Sequence, residues 1–172
     1  MINLYHEAKK ISEELENVVF IGALAVISHT KSGRTTRDLD LVMAAEISDD
    51  ELESKNYKIM SENGREVKYS PRGFKVDIYN KRDVNGISIE TILDKSITFE
   101  KGKKYHIKVA SLEVMIVSKY RANRSQDRED LNDLIRYNLT KIKWSVVQEL
   151  TTSVEFERIK KLEKLISEEL KL

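Results

Sequence analysis

The sequence has no cysteine, one proline and three histidines among its 172 residues. The first absence excludes disulfides, zinc–thiolate sites and thiol nucleophiles. With a single proline and only six glycines there is no Pro/Gly-rich linker, no low-complexity tract and no internal repeat. No apolar run approaches the ~20 residues of a membrane span. Met1 to Lys10 mixes both charge signs, unlike a signal peptide. An excess of one charge sign is missing too: 30 Lys and Arg stand against 29 Asp and Glu, a net charge of +1. That excludes a polycation binding nucleic acid by bulk charge, though not a local basic patch. The expectation is a soluble, cytoplasmic protein with no membrane partner.

What remains is an ordinary globular balance, 40% hydrophobic and 34% charged, in a chain long enough to bury roughly 70% of its unfolded surface. Leu4, Ala8, Ile11 and Leu15 have the spacing of an amphipathic helix within 2–16. Val18 to Ile21 reads as a buried strand, 23–28 as a short helix and 38–44 as a strand. Ser48 to Glu51 is a capping-box signature for a helix to about Asn56. Strands are expected over 66–70 and 74–79, joined by the turn Ser70-Pro71-Arg72-Gly73, and over 97–100 and 105–109 around Gly102. Ser111 and Ser125 read as N-caps for helices 112–122 and 126–138. Another helix starts at Ser153, with an apolar stripe through Ile159, Leu162, Leu165, Ile166 and Leu170. The fold class is α/β (α+β): a mixed sheet flanked by helices over 1–110, with a helical region over 111–172 packed on it and the chemistry at one edge.

The informative stretch runs from Phe20 to Met43. Asp38 and Asp40 are two apart in a strand pattern, so both carboxylates point to one side and Leu39 and Leu41 to the other. Like charges side by side repel unless a cation lies between them. An all-oxygen donor pair suits Mg²⁺ or Mn²⁺ holding substrate phosphates. Asp77, between Val76 and Ile78, is a third strand carboxylate. If its strand neighbours the first, the three acids meet the needs of two-metal nucleotidyl transfer, with Asp77 activating the attacking hydroxyl. Upstream, Gly22-Ala23 lets backbone approach a phosphate at a helix start. Arg34, Thr35, Thr36 and Arg37 offer guanidinium and hydroxyl donors to a triphosphate.

These residues resemble the DNA polymerase beta-type nucleotidyltransferase superfamily: an apolar residue, Gly and a small residue, then Asp-x-Asp, then a later strand acid. More narrowly, Gly22, Ala23, Ala25, His29, Arg34, Thr36, Asp38 and Asp40 resemble the abortive-infection type E toxin (AbiEii-like) nucleotidyltransferases and their stand-alone relatives. Lys119 and the run Arg124-x-x-Asp127-x-x-Asp130-Leu131 add to it, so the resemblance covers about 18 to 136. It implies an NTP substrate and NMP transfer to a hydroxyl of an RNA, protein or small-molecule acceptor. It also implies a toxin–antitoxin-like role with an antitoxin-like partner, and Lys119 reaching the triphosphate. The departure is Ala23, where the family has Gly or Ser; a hydroxyl donor is lost and the backbone N–H stays. The competing reading is therefore a catalytically inactive nucleotide-binding or protein-interaction module of the same fold.

Each residue also has a structural reading. Asp77 pairs with Arg37 or Lys75, Lys119 is a solvated lysine, and Asp127 and Asp130 are exposed acids pairing along a helix with Arg124 or Arg128. His29 packs or caps at a helix end. The functional alternative for Asp127 is that it holds Lys119 in place.

Overall fold

The computed structural model describes residues 3–30, 35–81, 83–102 and 104–171. In chain order the elements are α1 (Leu4–Glu14), β1 (Val19–Phe20), α2 (Gly22–His29), β2 (Asp38–Val42), α3 (Asp49–Ser54), β3 (Lys58–Glu62), β4 (Arg65–Tyr69) and β5 (Lys75–Tyr79). There follow β6 (Asp83–Val84), β7 (Ile87–Ser88), α4 (Ile89–Asp94), β8 (Ser96–Lys101), β9 (Tyr105–Ala110), α5 (Leu112–Ala122), α6 (Ser125–Arg136), α7 (Trp144–Leu150) and α8 (Ser153–Glu169).

Seven strands form one mixed sheet in the order β3-β4-β5-β2-β1-β9-β8. β2 runs parallel to β5 and β1 parallel to β9; the remaining pairs are antiparallel. The Asp-x-Asp strand β2 is thus central rather than at the expected edge. Strand alternation then does its work: Leu39 and Leu41 are fully buried and Asp38 and Asp40 take the opposite face. α1 packs on β9, and α2 packs on β2 and β9. Val114, Met115, Ile116 and Val117 of α5 join the same apolar cluster as Phe20, Leu39 and Leu41. No helix among the described residues is long and apolar enough to cross a membrane.

Several expectations shift. Arg124, not Ser125, occupies the N-cap position of α6, and Ser125 is its first helical residue. Of the α8 stripe, Ile159 and Ile166 are buried while Leu165 and Leu170 are exposed, as is Tyr137. β3, the β6–β7 ribbon, α4 and α7 are absent from the sequence reading. Two of these had a signal: Asn63-Gly64 and Asn85-Gly86 each place two consecutive residues at positive φ, 52° and 75°, then 53° and 72°. Each pair spans a two-residue hairpin loop, between Glu62 and Arg65 and between Val84 and Ile87.

The turn before β5 is tied to α1 by a buried charge. Glu7 is fully buried and accepts from Arg72 Nε at 2.6 Å, while Arg72 Nη1 and Nη2 donate to Glu14 at 2.8 and 3.0 Å. Removing the guanidinium leaves an uncompensated buried carboxylate. Arg72→Ala is therefore expected to lower unfolding free energy by about 3 kcal/mol, read as a lower urea midpoint. A midpoint equal to that of the wild type would show that Glu7 is not held as a buried anion.

Candidate active site

A cleft of about 300 Å³ opens over the polar face of β2. It is lined on one side by Ile21, Gly22, Ala23, Thr36, Asp38, Asp40 and Tyr79, and on the other by Val84, Asn85, Met115, Ser118, Lys119, Arg124, Gln126 and Asp127. The parallel pairing of β2 with β5 sets Asp40 directly beside Asp77 and Asp38 beside Lys75. Three carboxylates and one ammonium therefore share one face of two adjacent strands. Asp77 does not line the cleft; its Oδ2 lies 3.7 Å from Lys75 Nζ. Burial, then the Asp77 charge, pushes the Asp40 carboxyl above its ordinary range.

Gly22 is required twice over. Its φ is +59°, and a Cβ there would lie 2.0 Å from Asp40 Oδ2. The backbone at the start of α2 thus rests against the Asp40 carboxylate. α2 begins at Ile21 with no side-chain cap, so its first-turn N–H groups are left to an incoming anion.

The opposite wall is built by a tight helical corner. Asn123, in the left-handed region at φ 52°, closes α5, and α6 starts immediately after Arg124. Lys119 Nζ then lies 2.8 Å from both Asp127 Oδ1 and Asp130 Oδ2, all three residues being buried. Arg124 Nε donates to Asp127 Oδ2 at 2.6 Å while most of its own side chain faces solvent. Burial pushes the Asp127 carboxyl up, but the Arg124 and Lys119 donors outweigh it and hold it at about 2.

The remaining expected site residues divide. Thr36 lines the cleft, but its hydroxyl both donates to Asp38 O and accepts from Asp38 N–H, each at 3.1 Å. It fixes the start of β2 more than it offers a free donor. Arg37 is exposed and outside the cleft lining; Arg34 lies outside the described residues. Lys119 is not a solvated lysine, nor are Asp127 and Asp130 exposed acids. His29 ends α2, about 10 Å along the helix from Gly22 at 1.5 Å per residue. Its Nε2 donates to Ala110 O at 2.8 Å, and burial pushes the ring below its ordinary range. Tyr79, Asn85, Ser118, Arg124 and Gln126 line the cleft without having been singled out for it. Arg124 was visible as the first residue of the Arg-x-x-Asp-x-x-Asp run and as an ion-pair partner on a helix, not as a cleft residue.

A divalent ion is the group this donor set invites. Among the described residues no three Asp, Glu, His or Cys side chains form a ready-made cage. Mg²⁺ does not require one, since it keeps several waters and binds through one or two carboxylates plus substrate phosphates. Asp38 and Asp40, two oxygen donors on one face beside an uncapped helix start, fit that demand.

A family model matches residues 1–171, described as "Nucleotidyltransferase of unknown function (DUF6036)". The chain belongs to this nucleotidyltransferase family. The fold agrees: a crystal structure of an antigenic nucleotidyltransferase-like protein from Paracoccidioides brasiliensis superposes with a TM-score of 0.55 at 15% identity. The match covers 96% of this chain and 88% of that one. A comparison with curated proteins finds no match. The family member described above thus has a nucleotidyltransferase-like fold, with Gly22, Asp38 and Asp40 together at the cleft.

Two outcomes follow for the nucleotidyltransferase-fold chain without ligand. Asp40→Asn removes a partly buried charge beside Asp77, so its urea midpoint at neutral pH in metal-free buffer is expected to exceed that of the wild type. A lower midpoint would mean that the charge is compensated in the free protein. For Asp127, whose folded value of about 2 lies below the unfolded ~3.9, the stabilisation is complete above about pH 4. It is lost as pH falls towards 2. The stability gap between wild type and Asp127→Asn should be full at pH 7 and shrink through that window; a gap constant from pH 7 to 2 would overturn the assignment.

Proposed function

We propose that the protein is a divalent-metal-dependent enzyme that transfers NMP from an NTP to an acceptor hydroxyl and releases pyrophosphate. The observation that carries this is the register of β2 against β5, which puts Asp40 beside Asp77 with Gly22 backbone packed on the Asp40 carboxylate. Asp38 and Asp40 would hold Mg²⁺ or Mn²⁺, which supplies charge neutralisation for the phosphates and for the leaving pyrophosphate. The first-turn N–H groups of α2, from Gly22 and Ala23, receive phosphate oxygens. Arg124, the more solvent-exposed cation of the opposite wall, and Lys119 face the same anion across the cleft; Arg34 and Arg37 are assigned to it from the sequence, as guanidinium donors just before the acids. The acceptor oxygen attacks the α-phosphorus, a new O–P bond forms, and the bond to the bridging oxygen of the β-phosphate breaks. Asp77 takes the hydroxyl proton. Positioning and charge stabilisation account for the catalysis, as expected for phosphoryl chemistry.

The narrower reading takes the acceptor as RNA or protein rather than a small molecule, in a toxin–antitoxin-like role with an antitoxin-like partner. It rests on the Lys119 and Arg124-x-x-Asp127-x-x-Asp130 pattern and its likeness to AbiEii-like proteins. Ala23 favours a second reading, a non-catalytic nucleotide-binding or protein-interaction module, because it offers no hydroxyl to a phosphate. The intact Asp38, Asp40 and Asp77 weigh against it, since clustered carboxylates are costly without a cation.

The deciding experiment is thermal unfolding with each NTP, with and without Mg²⁺, on wild type and Asp40→Asn. Ligand at 100 times its dissociation constant adds about 2.7 kcal/mol. The expected result is a Mg²⁺-dependent upward shift in the wild type that Asp40→Asn lacks, with transfer by Asp38→Asn or Asp40→Asn down more than tenfold. No shift with any NTP at millimolar concentration would favour the interaction module.

A further inference from the structure

The far end of the cleft carries a feature that nucleotidyl transfer itself does not use. The β6–β7 ribbon folds over α5, and its tip is fastened there at several points. Asn85 Nδ2 donates to Ser118 Oγ at 2.9 Å and to Ser118 O at 3.3 Å. Arg121 Nη1 donates to the carbonyls of Asn85 and Gly86, at 3.3 and 2.9 Å. The same guanidinium holds Glu155 at 2.9 Å and the Leu150 carbonyl at 2.8 Å. The tip is thereby tied to the end of α7 and the start of α8. The left-handed backbone at Asn85 and Gly86 is the conformation that a tight two-residue hairpin loop demands.

This fastening fixes the orientation of the Asn85 amide. A backbone carbonyl only accepts, so the group facing Ser118 O is the NH₂ and the other face of the amide is its carbonyl oxygen. No donor among the described residues is bonded to that Oδ1. Gln126, on the same wall, is oriented in the same way: its Nε2 faces the carboxylates of Glu129 and Asp130, at 3.3 and 3.4 Å. This end of the cleft therefore offers amide acceptors beside the apolar side chains of Val84 and Met115. With the triphosphate assigned to Gly22, Asp38 and Asp40 and, from this wall, to Lys119 and Arg124, the stretch formed by Val84, Asn85 and Met115 is what is left for the nucleobase.

Resting on the reading of the cleft as an NTP site, we propose that Asn85 reads the exocyclic amino group of the base, so that the site selects ATP and CTP over GTP and UTP. Adenine and cytosine present an NH₂ donor at that edge, whereas guanine and uracil present a carbonyl oxygen. Asn85 is exposed in the free protein, so its Oδ1 stays hydrated until a base covers it; a covering keto base would set acceptor against acceptor where an amino base donates, a difference of about tenfold in affinity.

The test is the dissociation constant of each of the four NTPs, with Mg²⁺, for the full chain as wild type, Asn85→Gly and Asn85→Asp. Glycine accepts the positive φ and deletes the reader; aspartate tolerates that φ and keeps an acceptor, while giving up the Nδ2 bond to the Ser118 carbonyl. Wild type is expected to bind ATP and CTP at least about tenfold more tightly than GTP and UTP. Asn85→Gly should bind all four within about threefold of one another, while Asn85→Asp retains the amino-base preference at lower overall affinity. Equal binding of the four by wild type, a preference for keto bases, or a preference unchanged in Asn85→Gly would each overturn the assignment and leave the NTP reading standing. No binding of any NTP is a different outcome, which removes the NTP reading and this inference with it.

Discussion

Asp40 is the group around which the site is organised, because its charge is placed where the fold alone does not compensate it. The strand carrying it lies in the middle of the sheet and its neighbours Leu39 and Leu41 are locked in the core, so the side chain has no freedom to leave. Parallel pairing sets Asp77 alongside, and the Gly22 backbone lies across the carboxylate. The charged form is disfavoured first by burial and then by the second carboxylate. The ammonium groups of Lys119 and then Lys75 act against this without outweighing it, and Lys75 Nζ lies 3.7 Å from Asp77. A small divalent ion with phosphate oxygens would relieve this arrangement, whereas an unaccompanied triphosphate would worsen it. On the proposed reading, a dependence of nucleotide binding on metal would follow from these electrostatics.

The opposite wall is balanced within itself. Lys119 sits between two buried carboxylates, and Arg124 closes on one of them from the solvent side. A buried ammonium with a single partner would be loosely placed; with two it is fixed and its charge largely spent. Arg124 differs, since one hydrogen-bonded edge of its guanidinium faces Asp127 and most of its side chain lies in solvent. Of the two cations, Arg124 is the one with capacity to spare for a phosphate, and Lys119 serves at least as much to join α5 to α6.

The sequence made the acid face readable because period two in a strand is unambiguous. Asp38 and Asp40 between buried leucines could point only one way, and Asp77 between Val76 and Ile78 had the same form. Gly22 was readable as a close approach, though not that the approached atom is Asp40 Oδ2. The second wall was readable only in part: Asp127 holding Lys119 was an alternative there and is what the structure shows, whereas Asn85, Ser118, Arg124 and Gln126 come from a hairpin tip, a helix and a helical corner. No single periodicity links them. Asp127 and Asp130 looked like surface acids because α6 is polar overall, and their burial depends on a lysine eleven residues earlier in Asp130's case and eight in Asp127's. β3 was missed because four of its five residues are exposed and show no alternation, yet Asn63-Gly64 marked its turn.

The weight given to Ala23 turns on what that position supplies. A serine there would add one hydroxyl donor, but α2 starts without a side-chain cap and offers its backbone N–H groups whatever the side chain. Ala23 is itself largely buried, so its methyl group also completes the packing of the helix start on the sheet. On the proposed reading, the missing hydroxyl would lower phosphate affinity and leave the backbone donors in place. Loss of Asp40 would instead remove the close contact at Gly22 and leave its positive φ as the remaining demand for glycine there. A chain that had abandoned metal chemistry would be stabilised by shedding that carboxylate, and Gly22 would then have no close neighbour to accommodate. Both residues are present here and in contact, and on the proposed reading that contact accounts for the pair better than for either residue alone.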